Sequence, residues 1–155
     1  MNRLKKWILD WIFSYDYDVV LMNDAKMPYR AYNNDAGYDL YVYRSTKIPK
    51  HQMVNVSTGV FCKSKRSSWL FLTGRSSTLL KYGLLVDIGI IDGDYTGELF
   101  VKVYNPSSQD VYLYPEMRIA QLIIIPHTTG KFKVVDKLEI KRGERGEKGF
   151  GSTGC

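Results

Sequence analysis

The stretch "GIIDGDYTGELFVKVYN" at residues 89–105 decides the fold class. Two apolar runs, at 89–91 and 98–104, flank a polar loop that contains two glycines at 92–97. Strands joined through such a loop are typical of a β-hairpin. We therefore expect a hairpin here, with Asp92 at its tip.

Similar apolar runs recur along most of the chain, separated by clusters of Gly, Pro, Asn and Ser. Many short strands with frequent turns are typical of a β-sandwich or barrel, so we expect one all-β domain. The further predicted strands are "VVLM" (19–22), "YDLYVY" (38–43), "MVNVSTGVFC" (53–62), "WLFL" (69–72), "RIAQLIIIP" (118–126) and "KFKVV" (131–135).

One segment, "GRSSTLLKYG" at 74–83, breaks the strand pattern. Ser76 or Ser77 is suited to cap a short helix that Gly83 ends. Free backbone N–H groups, two hydroxyls and the guanidinium of Arg75 would then converge at the helix start, which suits a phosphate. An ordinary cap beside an exposed arginine is the alternative, and the segment alone leaves both open.

The first residues carry an amphipathic pattern. Within "LKKWILDWIF" an apolar stripe recurs at helical spacing, formed by Leu4, Trp7, Ile8, Trp11 and Ile12. We expect an N-terminal extension at 1–17 that docks on the domain or on a neighbouring chain. A helix lying on a membrane surface is the alternative.

The composition favours some kinds of partner and argues against several kinds of site. A chain of 155 residues is typical of a single domain, and its net charge of +6 favours anionic partners such as nucleotides, nucleic acids or membrane surfaces. Two cysteines and two histidines argue against a disulfide framework, a zinc site or a serine triad. We expect an intracellular protein, in the cytoplasm, or in the nucleus or host cell if it is viral.

The chain closes on "GEKGFGSTGC" at 146–155. These letters fit the dinucleotide-binding pattern G-x-G-x-x-G, but that fingerprint needs a strand before it and a helix after it. No helix can follow Gly154, so we reject this interpretation. A glycine-rich tail remains, which is either a disordered end or a mobile functional segment.

Five segments occur in a fixed order along residues 18–154. They are "DAGYDL" (35–40), "GRSS" (74–77), "GIIDGDYTGEL" (89–99), "RIAQLI" (118–123) and "RGEKGFGSTG" (145–154). Their order and spacing resemble the five motifs of homotrimeric dUTPases. The resemblance implies a jelly-roll β domain at 18–140, a flexible lid at 141–155, and a trimer with active sites shared between subunits. The implied reaction is Mg²⁺-dependent hydrolysis of dUTP to dUMP and pyrophosphate.

The resemblance assigns the third motif, "GIIDGDYTGEL", to contacts with the base, the sugar and the attacking water. We call this segment the loop motif. It implies that Asp92 is the general base that activates water for attack on the α-phosphorus. Backbone groups from Gly89 to Phe100, those of Gly89 and Ile91 among them, would pair with the uracil edge. Tyr95 would lie under the deoxyribose and leave no room for a 2′-hydroxyl.

The other motifs are assigned to the phosphates, the metal and the lid. Asp39 would hold Mg²⁺ through its waters, which fits an ion that dehydrates reluctantly. The implied phosphate contacts are Arg75, Ser76, Ser77 and Gln121. In the tail, Arg145 would clamp the γ-phosphate and Phe150 would cover the uracil. The remaining lid contacts would come from Gly151, Ser152 and Thr153.

Three positions depart from the usual motifs: Ser77, where glycine is frequent, Thr96, and Lys148. A dCTP deaminase, which shares the fold and an arginine-serine-serine motif, is the first alternative, although it needs a different catalytic segment after the hairpin. A regulatory binding protein on the same fold is the second, and a regulatory partner in addition to catalysis stays open. The basic residues are scattered, so we expect no stable nucleic-acid complex.

Overall fold

The computed structural model describes residues 16–127 and 130–135. The predicted lid at 141–155 lies outside these ranges, as does the predicted N-terminal extension except for Asp16 and Tyr17. Among the helices of the described part, none is long and apolar enough to cross a membrane.

The described residues form ten strands and one helix. The helix, α1, spans Ser76–Tyr82 between β5 and β6. The strands are β1 Tyr17–Leu21, β2 Tyr38–Tyr41, β3 Thr46–Ile48, β4 Met53–Ser64, β5 Ser68–Gly74, β6 Leu85–Val86, β7 Gly89–Ile91, β8 Glu98–Tyr104, β9 Val111–Leu113 and β10 Arg118–Pro126.

The strands build two four-stranded sheets and one two-stranded sheet. The first sheet has the order β1-β4-β8-β6, and the second has the order β2-β10-β5-β7. The small sheet pairs β3 with β9. All the described pairings are antiparallel. The expected all-β fold with one short helix is confirmed.

Strand β8 shows why these sequences fold as strands with one buried face. Leu99, Val101 and Val103 are at most 2% exposed, whereas the alternate residues Phe100 and Lys102 face outward. Successive side chains of a strand point to opposite faces, so an alternating sequence buries one face. Burying each of these apolar side chains contributes about 1.5–3 kcal/mol relative to leaving it exposed.

A buried polar residue closes the core at the end of β8. Asn105 is fully buried, and its amide nitrogen donates to the carbonyl oxygens of Ile48 at 3.0 Å and Gln109 at 2.8 Å. Its side-chain oxygen accepts from the backbone N–H of Ser107 at 3.0 Å. A buried amide costs little when its donors and acceptor are paired, so Asn105 ties three segments together without a penalty.

The predicted hairpin at 89–105 is wrong. β7 pairs with β5, whereas β8 pairs with β4 and β6, so the loop at 92–97 passes from one sheet to the other. The predicted strand at 131–135 is also wrong, because the described residues there lie outside any sheet. Phe132 and Val134 in that segment are fully exposed to solvent.

The predicted helix is confirmed, but its start differs from the prediction. Arg75, not Ser76 or Ser77, is the N-cap residue, and it makes no side-chain capping hydrogen bond. Gly83 ends the helix as expected, with a left-handed φ of 63° and its N–H bonded to Leu79 O. The buried Thr78 hydroxyl donates to the carbonyl of Ile119 at 2.8 Å, which fixes α1 to β10.

Candidate active site

Three neighbouring strands bring together the residues of the first, second and fourth motifs. Gln121 on β10 lies opposite Asp39 on β2 and opposite Thr73 on β5. Arg75 follows β5 directly. We call Asp39, Arg75, Ser77, Arg118 and Gln121 the phosphate cluster.

Asp39 is the centre of the phosphate cluster. One of its carboxylate oxygens lies 2.6 Å from Arg75 Nε, and the other lies 3.1 Å from Arg118 Nη1. The Asp39 side chain is only 14% exposed, and that of Arg75 is 23% exposed. The two ion pairs hold the carboxylate in one orientation, and the low exposure shields these pairs from water.

The rest of the cluster is held by hydrogen bonds to the same loop. Arg75 Nη1 donates to Ser77 Oγ at 3.1 Å, and Gln121 Nε2 donates to the carbonyl of Gly74 at 3.2 Å. Ser76 is exposed at the first position of α1. Guanidinium, hydroxyl and amide groups therefore lie on neighbouring strands and at the start of α1, and such groups are suited to bind an anion.

The surroundings of Gly37 explain why the "DAGYDL" motif has a glycine at this position. A Cβ atom there would lie 2.8 Å from Gln121 Oε1 and 3.1 Å from the carbonyl oxygen of Leu122. A side chain at this position would push Gln121 out of place. The glycine thus lets the chain before β2 pass close to β10 and keeps the phosphate cluster intact.

The loop motif forms a second group of site residues. A cleft of about 220 Å³ is lined by Ile90, Ile91, Asp92, Tyr95, Glu98, Leu99 and Phe100. We call it the loop cleft. Gly89 pairs with Leu72 at the start of β7 and does not line the cleft.

Hydrogen bonds within the loop set the shape of the cleft. The N–H of Tyr95 donates to the carbonyl of Asp92 at 3.1 Å, and the Tyr95 hydroxyl donates to the carbonyl of Glu98 at 3.1 Å. A Cβ atom on Gly97 would overlap the Tyr95 ring. The glycine therefore allows the tyrosine to lie flat against the loop, as one wall of the cleft.

Glu98, which the sequence analysis did not single out, anchors the end of the loop. Its carboxylate accepts hydrogen bonds from the Ser57 hydroxyl and, at 2.9 Å, from the N–H of Gly59. These two donors lie where the β4–β8 register shifts between Ser57 and Phe61. The loop is thereby fixed to a bulge in the opposite strand.

Asp92 lies at the far end of β5 from the phosphate cluster. Its neighbour Gly93 packs so closely on the Ser68 carbonyl that a Cβ atom would overlap it, and the Gly93 carbonyl accepts from Ser64 N at 2.9 Å. Ile91 pairs with Leu70.

The pairing of β5 with β7 sets the separation of the two groups. Ile91 pairs with Leu70, so the same register continued by one residue brings Asp92 level with Trp69. The six residues from Trp69 to Arg75 span about 20 Å at the rise of a strand. Within a single chain, the candidate base Asp92 therefore lies far from the phosphate cluster.

The carboxylates of the described residues suit a metal ion that is coordinated mainly by the phosphates of a bound molecule. These residues contain no group of three or more His, Cys, Asp or Glu side chains that could hold a metal ion. Asp39 instead offers a single carboxylate beside the proposed phosphate position. That arrangement suits Mg²⁺, which binds phosphates through one or two carboxylates and keeps several waters.

Comparison with known proteins identifies the family of this chain. A sequence model of the family described as dUTPase matches residues 23–154. The chain belongs to the dUTPase family. Deoxyuridine 5′-triphosphate nucleotidohydrolases from Candida albicans and from Paramecium bursaria Chlorella virus 1 are 36% and 37% identical to it. They match 84% and 86% of this chain, and 82% and 94% of their own lengths.

Comparison with solved structures leads to the same family. A Staphylococcus bacteriophage 80alpha dUTPase solved with dUpNHpp superposes with a TM-score of 0.83 at 28% identity, covering 90% of this chain and 98% of the phage chain. The predicted fold and activity are confirmed: this is a dUTP diphosphatase with the family's all-β fold.

Besides Glu98, the structure adds a residue to the phosphate cluster, and it leaves other predicted site residues undescribed. Arg118 was not predicted, although it opens the "RIAQLI" motif and binds the carboxylate of Asp39. The predicted lid contacts all lie outside the described residues, and so does the departure at Lys148. They are Arg145, Phe150, Gly151, Ser152 and Thr153.

Proposed function

We propose that Asp92 of one subunit and the phosphate cluster of another form each active site of this dUTPase. The observation that carries this proposal is their position at opposite ends of β5. A general base must lie within hydrogen-bond reach of the water it activates. A gap of about 20 Å along one strand prevents Asp92 from serving a phosphate bound to Arg75 of its own chain.

A closed trimer satisfies this requirement. In a ring with threefold symmetry, every subunit offers its loop cleft to one neighbour and its phosphate cluster to another, so three identical sites form. The lid residues Arg145, Phe150, Gly151, Ser152 and Thr153 would close each site from the third subunit. Closure by such a segment excludes water from the charged reaction centre.

Asp92 carries the proton transfer in this proposal. Its carboxylate takes a proton from a water molecule as the water oxygen bonds to the α-phosphorus of dUTP. The bond from the α-phosphorus to the bridging oxygen of the β-phosphate breaks, and pyrophosphate leaves. The exposed position of Asp92 beside the loop cleft supports this role, because both water and nucleotide can reach it.

The loop cleft is suited to the nucleoside. β7 is the outermost strand of its sheet, so it pairs with β5 on one side and leaves backbone groups of Gly89 to Ile91 unpaired within the described sheets on the other. Unpaired N–H and C=O groups at a strand edge can bind the edge of uracil. The flat Tyr95 ring then forms a surface for the deoxyribose.

The phosphate cluster would exchange partners when substrate binds. Arg75 and Arg118 are both paired with Asp39, and the more highly charged triphosphate would compete for both guanidinium groups, together with Ser76, Ser77 and Gln121. Asp39 would then face the metal-bound waters. Magnesium, when bound with the triphosphate, neutralises charge that develops on the leaving pyrophosphate.

Substrate discrimination tests the proposed chemistry. Pyrophosphate release is measured with dUTP, dTTP, dCTP and UTP at equal concentrations and with Mg²⁺. Rapid release from dUTP, and release at least a hundredfold slower from the other three, is expected. A closed pocket has no room for a methyl or a 2′-hydroxyl group, and backbone groups that pair with the edge of uracil do not match the donors and acceptors of cytosine. Ammonia release from dCTP would favour the deaminase alternative instead.

Partners beyond the nucleotide are also part of the proposal. Exposed cations are interspersed with acids, as in the pairs of Lys26 with Glu116, Lys47 with Asp110, and Lys65 with Asp18, so no stable nucleic-acid complex is proposed. An intracellular location suits a nucleotide substrate and a chain whose Cys62 is a free, buried thiol. A DNA-binding assay at several salt concentrations tests the first point.

A further inference from the structure

The side chain of Glu98, the first residue of β8, accepts two hydrogen bonds at one oxygen atom. Its Oε1 accepts from the Ser57 hydroxyl and, at 2.9 Å, from the N–H of Gly59. Both donors belong to residues 57–59 of β4, where the register with β8 shifts, and we call these residues the β4 bulge. A neutral amide oxygen in the same position has the lone pairs to accept both bonds. The contact therefore depends on an oxygen acceptor and not on the charge of the carboxylate.

The β4 bulge is itself held by neighbouring segments. The carbonyl of Ser57 accepts a hydrogen bond from Tyr43 N at 2.9 Å, and the carbonyl of Gly59 accepts one from Met22 N at 2.8 Å. Paired backbone groups of this kind are costly to separate when they are shielded from water. The bulge thus gives the Glu98 side chain a fixed support.

The backbone of Glu98 holds the ring of Tyr95. The Tyr95 hydroxyl donates to the carbonyl of Glu98 at 3.1 Å, and the Tyr95 N–H donates to the carbonyl of Asp92 at 3.1 Å. The position of Asp92 has a separate anchor, because the carbonyl of the next residue, Gly93, accepts from Ser64 N at 2.9 Å. Loss of the Glu98 side chain would therefore release the tyrosine ring and leave the candidate base in place.

We infer that Glu98 is a positioning residue that sets the selectivity of the site for deoxyribose over ribose. This inference rests on the proposed function, in which the deoxyribose lies against Tyr95. A pocket rejects a larger substrate only when its walls cannot move away from the added group. Glu98 prevents such movement because it joins the Tyr95 hydroxyl to the β4 bulge. It takes no part in proton transfer.

Two substitutions separate the acceptor of Glu98 from its charge. Glu98→Gln keeps an oxygen acceptor and removes the charge, whereas Glu98→Ala removes both. The control is Glu116→Ala, because Glu116 is an exposed carboxylate in a surface pair with Lys26. For each protein, kcat and KM are measured with dUTP and with UTP in the presence of Mg²⁺, and kcat for dUTP is measured across a range of pH.

Glu98→Ala should lower the ratio of kcat/KM for dUTP to kcat/KM for UTP about tenfold. Most of the change should come from a higher KM for dUTP, and the pH profile of kcat should stay that of the wild type. Glu98→Gln should restore most of the ratio, and Glu116→Ala should not change it. A wild-type ratio in an active Glu98→Ala enzyme would overturn the inference. So would an equal loss in Glu98→Gln, or a shifted pH profile, because the carboxylate would then act through its charge.

A milder pair of variants tests the same link if Glu98→Ala does not fold. Tyr95→Phe removes only the hydroxyl that donates to the Glu98 carbonyl, and Ser57→Ala removes one of the two donors to the Glu98 side chain. Each should lower the ratio of dUTP to UTP. The double variant should lose no more than Tyr95→Phe alone, because both changes act through the position of one ring. Losses that multiply in the double variant would contradict the inference.

The wild-type enzyme separates failure of this inference from failure of the proposed function. Equal kcat/KM values for dUTP and UTP in the wild type would show that Tyr95 does not exclude ribose, and both proposals would fall. A selective wild type whose ratio is unchanged in the Glu98, Ser57 and Tyr95 variants would overturn the role of Glu98 alone.

Discussion

Arg75 Nε lies 2.6 Å from Asp39 Oδ1, so the proposed phosphate-binding group and the proposed metal-binding group form an ion pair with each other. Each group thereby compensates the charge of the other. The triphosphate and its magnesium can separate the two groups without leaving either unpaired. This relationship makes the metal requirement sensitive to a single side chain.

Asp39→Ala should weaken the magnesium dependence of turnover. Without the carboxylate, the metal-bound waters lose their protein partner, and we expect the half-saturating Mg²⁺ concentration to rise about tenfold, with partial rescue at high Mg²⁺. Pyrophosphate release across a magnesium titration measures this. Asp110→Ala, which breaks the 2.7 Å surface pair with Lys47, is the control. An unchanged magnesium response would make Asp39 a structural residue.

Arg118→Ala should weaken substrate binding more than it slows chemistry. The variant removes one of the two guanidinium groups on Asp39 and, in our proposal, one charge that faces the triphosphate. We expect KM for dUTP to rise roughly tenfold with kcat little changed. Steady-state kinetics measure both constants, with Lys50→Ala as a control for the loss of an exposed positive charge. A wild-type KM would remove Arg118 from the site.

Asp92→Asn should nearly abolish turnover while dUTP still binds. The amide keeps the size of the side chain but cannot accept the proton, and loss of a general base typically costs about 10²–10⁴-fold in rate. Single-turnover kinetics and calorimetric binding of dUTP separate the two effects. Asp94→Asn, a change at an exposed aspartate two residues away, should stay close to wild type. Normal turnover in Asp92→Asn would exclude its role as base.

The sequence predicts elements whose signal is local. Apolar runs bounded by clusters of turn residues identify β8 and the other longer strands, because both signals lie within the segment itself. Gly83 marks the end of α1 because a left-handed φ strongly favours glycine. The short strands β3 and β9 carry too few residues for a period and were not predicted.

Pairing partners and clustered side chains were harder to predict because they depend on the whole fold. The runs at 89–91 and 98–104 are both strands, yet the apolar runs do not reveal that the two strands belong to different sheets. Arg118 became a site residue only through its contact with Asp39, 79 positions away. The motif resemblance placed Asp39, Arg75 and Gln121 in one site, and the pairing of β2, β10 and β5 explains how they meet.

Deleting residues 145–155 should leave a folded protein with little activity. The segment has one large apolar side chain, Phe150, so its loss should barely change Tm. Without Arg145 the γ-phosphate loses a charge-assisted contact and the site stays open to water, which we expect to cost roughly a hundredfold in rate. Phe150→Ala should give a smaller loss. Full activity in the truncated protein would show that the tail has no catalytic role.

Mixing two inactive variants tests the shared site most directly. Asp92→Asn and Arg75→Ala proteins are combined in equal amounts, unfolded and refolded together, and assayed for pyrophosphate release from dUTP. If each site takes its base from one subunit and its arginine from another, about a quarter of the sites in random trimers contain both wild-type groups. We therefore predict recovery of about a quarter of wild-type activity. No recovery in a mixture shown to contain hetero-oligomers would contradict the shared site.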